Sequence, residues 1–148
     1  MLVTHKIQVY RQNQLQQASP IELVVLLYDK AITRLGDAAR LVQEGRLADK
    51  AKAICHAVDI ITELHAVLDK DRGGEIAAKL DQLYTYMVQQ LTVANYENDP
   101  KPMAEVARLL EELQQGWKGL AQQMAGGAQP PAGYVKPGVP MRQLNSVG

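Results

Sequence analysis

Apolar residues recur along this chain at steps of three and four from Ile21 to Met124, the period of helices that bury one face. The first run, Leu23-Val24-Val25-Leu26-Leu27-Tyr28, taken alone would also suit a buried strand. Its spacing continues through Ala31, Leu35, Ala38 and Val42, which decides for a helix. Ser19-Pro20-Ile21-Glu22 opens that helix as a capping box. The Ser19 hydroxyl can accept from the Glu22 amide, Glu22 can reach back, and Pro20 takes the first helical position, where its missing N–H costs nothing. Gly45 is the expected stop. The first half is apolar on most sides, which predicts a central place in a bundle.

Three further helices follow. The second is predicted from about Leu47 to Asp69, with Ala51, Ile54, Val58, Ile61, His65 and Leu68 inward and Lys52, Asp59, Glu63 and Lys70 on other faces. Gly73-Gly74 reads as the end of that unit. Glu75 opens the third, where a carboxylate suits the positive end of the helix dipole. Its predicted inner stripe is Ile76, Leu80, Leu83, Met87, Leu91 and Ala94, and Asn95 to Asp99 is a polar break. The fourth starts near Asp99-Pro100, with Met103, Val106, Leu110, Leu113, Trp117, Leu120 and Met124 as its seam. Similar lengths and short links predict an all-α, antiparallel up-down four-helix bundle. Leu27, Leu83, Leu113 and Trp117 are assigned to its core.

The ends differ from the middle. Residues 1–18 carry many Gln and few apolar groups, and form either a short helix or an extended, mobile N-terminal arm. Residues 126–148 hold nine Gly or Pro among 23. Such a tail cannot offset its ordering entropy by burial and is expected to be disordered. The bundle proper is then 19–125.

Composition narrows the function. Sixteen Lys+Arg balance 16 Asp+Glu, so the chain lacks the cationic surplus of a general nucleic-acid binder. The single cysteine, Cys55, forms no internal disulfide and reads as a small packing residue. No apolar run is long enough for a signal peptide or a membrane span, which predicts a cytoplasmic protein with no membrane insertion.

Catalytic constellations are absent from the sequence. Neither His56 nor His65 has the Glu three residues earlier that a di-iron bundle needs, and there is no His-Glu-x-x-His or phosphate loop. No enzyme activity, metal or cofactor is expected. A histidine phosphotransfer bundle is the alternative signalling reading, and a general helical adaptor is another. The residues after His56 and His65 bring Asp59 and Asp69, whose charge opposes a phosphoryl group. His65 falls on the apolar stripe and reads as a boundary histidine. Tyr86, Val93 and Tyr96 lie on a second stripe of the third helix. They suit either packing against a neighbouring helix or an exposed groove for a partner.

Tyr10-x-x-Asn13-x-Leu15, Ala18-Ser19-Pro20, Glu22-Leu23 and Leu27-Tyr28-Asp29 resemble the opening of the flagellar secretion chaperones specific for flagellin, the FliS family. So do Ile61-x-Glu63-Leu64, Leu68-Asp69, Gly73-Gly74-Glu75-Ile76-Ala77, Leu83-Tyr84-x-Tyr86-Met87, Ala94-Asn95 and Trp117. The resemblance runs in order over about residues 8 to 120. Lys30 stands where the family often has Gly, and Gly116 and Gly119 flank Trp117. The resemblance implies a cytoplasmic bundle that binds the C-terminal helical segment of flagellin, prevents its premature polymerisation and keeps it export-competent. It further implies an export-gate component as a second partner, and an N-terminal arm, including Tyr10, that can occupy a client groove. The candidate client-binding residues are Ile7, Tyr10, Leu15, Tyr86, Val93 and Tyr96.

Overall fold

A computed structural model describes residues 19–127. They form four helices: α1 (Pro20–Gln43), α2 (Leu47–Ala66), α3 (Gly74–Glu97) and α4 (Pro100–Ala125). Each helix packs on its two neighbours in a ring, α1 on α2 and α4, and α3 on α2 and α4. This is the antiparallel all-α four-helix bundle that the periodicity predicts. The contacts of α1 with its neighbours are far more extensive than those of α3, as its broad apolar surface requires.

Local chemistry sets the helix ends. Ser19 Oγ accepts from the Glu22 amide at 3.2 Å, and Pro20 is the first residue of α1. The other end closes as a Schellman turn, with Gly45 N donating to Val42 O at 3.1 Å and Arg46 N to Leu41 O at 3.0 Å. Gly45 sits at φ 73°, in the left-handed region that favours glycine. Asn98, at φ 54°, stops α3 in the same region. Asp99 then caps α4 by accepting from the Lys101 amide at 3.0 Å, ahead of Pro100.

Leu27 and Trp117 are in the core as predicted, but several stripes are displaced. In α2 the buried line is Ala53, Ile54, Ala57, Ile60, Ile61 and Leu64. Ala51, Val58 and His65 are half-buried because α2 packs against two helices, so its apolar face is centred between the expected stripe and Ile60. Helix α2 ends at Ala66. Val67, Leu68 and Asp69 are buried in the link that follows, where Asp69 Oδ1 accepts from Arg72 N at 3.1 Å. Gly73-Gly74 opens α3 instead of closing α2. Cys55 is exposed, not packed.

In α3 the core line is Ala77, Leu80, Tyr84, Met87, Leu91 and Ala94. Leu83 is half-buried and Ile76 is exposed, contrary to expectation. Tyr84 takes the place of Leu83 because its hydroxyl finds a partner inside: it pairs with the Tyr28 hydroxyl across the bundle at 2.5 Å. Trp117 Nε1 donates to that same Tyr28 oxygen at 3.1 Å. Three aromatic polar groups from α1, α3 and α4, all on buried side chains, thus satisfy one another. In α4, Leu113, Leu120 and Met124 are half-buried, and Gln114 is buried instead. Gln114 Nε2 donates to Val25 O at 3.2 Å and Asp29 Oδ1 at 2.5 Å, tying α4 to α1.

Candidate functional site

The exposed large hydrophobic side chains among the described residues are Leu47, Ile76, Tyr86, Val93 and Tyr96. Four of these five belong to α3, the least packed helix. Val93 is 47% exposed and Tyr96 89% exposed, so the second stripe predicted on α3 does face outward. Tyr86 lies across the α3–α4 boundary, its hydroxyl donating to Glu105 in a short hydrogen bond. Donating this hydrogen bond to Glu105 holds the phenol proton in place and raises the Tyr86 pKa above its ordinary value.

Further toward the N-terminus of α3, an apolar groove of about 450 Å³ opens between α3 and α4. Ile76 and Leu80 form one wall. Leu113, Trp117 and Leu120 form the other, with Gln115 and Gln123 also lining it. Gly116 and Gly119 also line it, and a Cβ added at either would meet nothing within 4 Å. Each glycine costs a helix about 1 kcal/mol against alanine. In return the α4 backbone is bare on this side, so another chain can approach it closely. Trp117 joins groove to core, its ring lining the groove and its Nε1 bonded to Tyr28.

The α2–α3 link is held beside this region by polar contacts. Asp81 accepts from His65 Nε2 in a short bond, and Lys70 Nζ lies 3.3 Å from the same oxygen. The His65 bond and then the Lys70 bond hold the Asp81 carboxyl below its usual range. The His65 ring also packs against Tyr84, centroids 5.8 Å apart. A phospho-accepting histidine presents an open ring nitrogen to a partner domain. His65 is half-buried with Nε2 engaged, as suits a boundary residue.

Of the predicted client-binding residues, Tyr86, Val93 and Tyr96 share the exposed side of α3. Ile7, Tyr10 and Leu15 lie outside the described residues. Sequence reasoning missed the groove because it placed Ile76, Leu113 and Leu120 inside. The signal available was the pair of glycines flanking Trp117. Among the described residues no three His, Cys, Asp or Glu side chains gather as a metal site. No helix there is long and apolar enough to cross a membrane.

Fold and surface together define a helical bundle with an open apolar face along α3. The family model described as flagellar protein FliS matches residues 3–124. The chain belongs to the FliS family. The flagellar secretion chaperone FliS of Vibrio cholerae is 39% identical over 105 residues, 71% of this chain and 77% of that protein. FliSB of Pseudomonas aeruginosa, another flagellar secretion chaperone by name, is 38% identical over 77% of this chain and 90% of its own length. The Salmonella typhimurium FliS is 36% identical, over 77% and 85%. A solved structure described as a flagellar chaperone from bacteria superposes with TM-score 0.67 at 21% identity, covering 81% of this chain and 98% of that one. At that identity the likeness speaks for the fold.

Proposed function

We propose that this chain is a cytoplasmic flagellar secretion chaperone that binds the C-terminal helical region of flagellin, prevents its premature polymerisation and keeps it export-competent. The observation that carries this reading is the concentration of exposed apolar side chains on α3, one of which, Ile76, lines a groove floored by two glycines. The names of the relatives support the chaperone role. A client that folds on binding must offset an ordering cost of about 2–5 kcal/mol. One fully buried apolar side chain supplies about 1.5–3 kcal/mol, so a single contact is too little. Ile76, Tyr86, Val93 and Tyr96 offer four contacts spread along the length of one helix, which a long client segment can engage together.

In this reading the arm over residues 1–18, with Ile7, Tyr10 and Leu15, competes for the client surface. An arm that blocks the groove part of the time lowers apparent affinity in proportion. An export-gate component is the second partner. The test is calorimetric titration of flagellin into Ile76→Glu and Val93→Glu variants. Both residues are about half exposed, so a carboxylate there leaves the fold intact while opposing apolar docking. Each variant should bind about tenfold more weakly, a change of about 1.4 kcal/mol. Unchanged affinity in both would remove α3 from the client site.

A further inference from the structure

On the face opposite α3 and α4, helices α1 and α2 enclose a second groove of about 310 Å³. Its character is cationic. Arg34, Arg40, Arg46 and Lys52 line it with His56, against the carboxylates of Asp37 and Asp49. With Glu44, which pairs with Arg40 and Arg46 beside the groove, that is a local surplus of one fixed positive charge in a chain whose formal net charge is zero. The floor is apolar, made by Leu41 and Ala53, both buried.

Most of these charges are held in an alternating ladder. Arg34 pairs with Asp37 at 2.8 Å, Arg40 with Glu44 at 2.9 Å, and Arg46 with Asp49 at 2.7 Å. Longer links, Arg40–Asp37 at 3.7 Å and Arg46–Glu44 at 3.8 Å, join the pairs around the α1–α2 turn. Two cationic groups of the groove stand outside this pairing. Arg34 Nε is shielded from solvent with no hydrogen-bond partner, and Lys52 enters no ion pair among the described residues. A shielded donor without an acceptor is costly and calls for a missing one.

We infer that this groove is a second binding site, which takes carboxylate side chains of an acidic, partly apolar protein segment. An incoming carboxylate gives Lys52 an acceptor, and gives one to Arg34 Nε once that partly exposed side chain swings outward. It can also exchange with Asp37 or Asp49 on a guanidinium without change of charge type, so the ladder is preserved while the ligand is held. The segment's apolar residues pack on the aliphatic stems of the groove's arginines, Leu41 and Ala53 being already buried beneath. Free phosphate fits less well, because the surplus is modest and the apolar floor gives it nothing. The site lies across the bundle from α3, so both can be filled at once, and it stands whether or not flagellin is the client.

The test uses the full chain, labelled with nitrogen-15 and observed by amide and arginine Nε–H resonances at low ionic strength. The probe is an acetylated, amidated peptide of four Glu-Leu-Ala repeats, compared with its Gln-Leu-Ala counterpart and with inorganic phosphate. The expected result is saturable shifts centred on Arg34, Arg40, Arg46 and Lys52 with the Glu peptide alone, weakening as salt is added. The double substitution Arg34→Gln with Lys52→Gln, both partly solvated, should weaken binding about fivefold. Lys52→Gln alone, at an exposed position, should weaken it in the same direction. Equal response to the Gln peptide, response to phosphate instead, absence of saturable shifts on this face, or unchanged affinity in the double variant would each overturn the assignment.

Discussion

Replacing Tyr28 by Phe removes the oxygen that both Trp117 and Tyr84 use. Trp117 Nε1 donates to it at 3.1 Å and the Tyr84 hydroxyl lies 2.5 Å away. Tyr84 is almost fully buried, so its hydroxyl cannot turn to water once Tyr28 loses its oxygen. Leaving that group without a partner costs about 1–3 kcal/mol and the lost Trp117 bond adds about 0.5–1.5 kcal/mol, so Tyr28→Phe should destabilise the bundle by about 1.5–4.5 kcal/mol. Tyr84→Phe leaves the Trp117–Tyr28 bond intact and deletes one hydrogen bond, a loss of about 0.5–1.5 kcal/mol. The two changes should not add. In the Tyr28→Phe background, Tyr84→Phe removes a stranded hydroxyl and should be neutral or stabilising. Urea denaturation followed by circular dichroism measures all four proteins, and a thermal scan should move by about 4 °C per kcal/mol. The reasoning is refuted if Tyr84→Phe costs as much as Tyr28→Phe, or if its cost is the same in both backgrounds.

Burial also pushes the Tyr28 phenol up to about 12 from 10.0, and raises Tyr84 well above 10.0. Below pH 10 both tyrosines are protonated whether the chain is folded or not, and stability is untouched. Between pH 10 and 12 the unfolded chain releases protons that the folded one keeps, so stability should fall with rising pH. Tyrosinate absorbance should then show Tyr28 and Tyr84 ionising together with loss of helical signal.

Three further outcomes are expected. Asp81 has a lowered pKa through His65 and Lys70, so its contribution is present above pH 3.8 and lost as pH falls through the folded value. Asp81→Asn should therefore flatten the acid side of the stability profile measured by urea denaturation. Gly116→Ala should raise helix stability by about 0.5–1 kcal/mol in the same assay, yet weaken calorimetric binding of flagellin, because the new Cβ stands in the α3–α4 groove. Tyr10→Ala should change client affinity while the melting temperature moves by only a few degrees; an unchanged affinity removes the arm from the mechanism.

Much of the architecture was legible from spacing alone. Capping at Ser19, the stop at Gly45 and the entry at Asp99-Pro100 follow from local chemistry that tertiary packing leaves untouched. The α3 stripe of Tyr86, Val93 and Tyr96 was also legible as distinct from the core. Side-chain partnering was not. Periodicity prefers Leu83 to Tyr84 because it weighs apolarity, whereas burial of Tyr84 depends on two hydroxyls 56 residues apart. Ile76, Leu113 and Leu120 keep perfect helical spacing, yet they line a groove because Gly116 and Gly119 leave the α3–α4 seam open there. A pattern along one helix cannot report a gap between two. The cationic α1–α2 face was illegible for the same reason: its charges come from both sides of the Gly45 turn.

The central claim is capture of flagellin by its C-terminal segment. Calorimetry of the full chain with flagellin from the same organism, intact and lacking about its last 40 residues, tests it most directly. The account predicts one-to-one binding to the intact protein that disappears with the deletion and weakens in Ile76→Glu, with affinity between micromolar and nanomolar, about −8 to −12 kcal/mol. Equal binding to both forms of flagellin, or to neither, would contradict it.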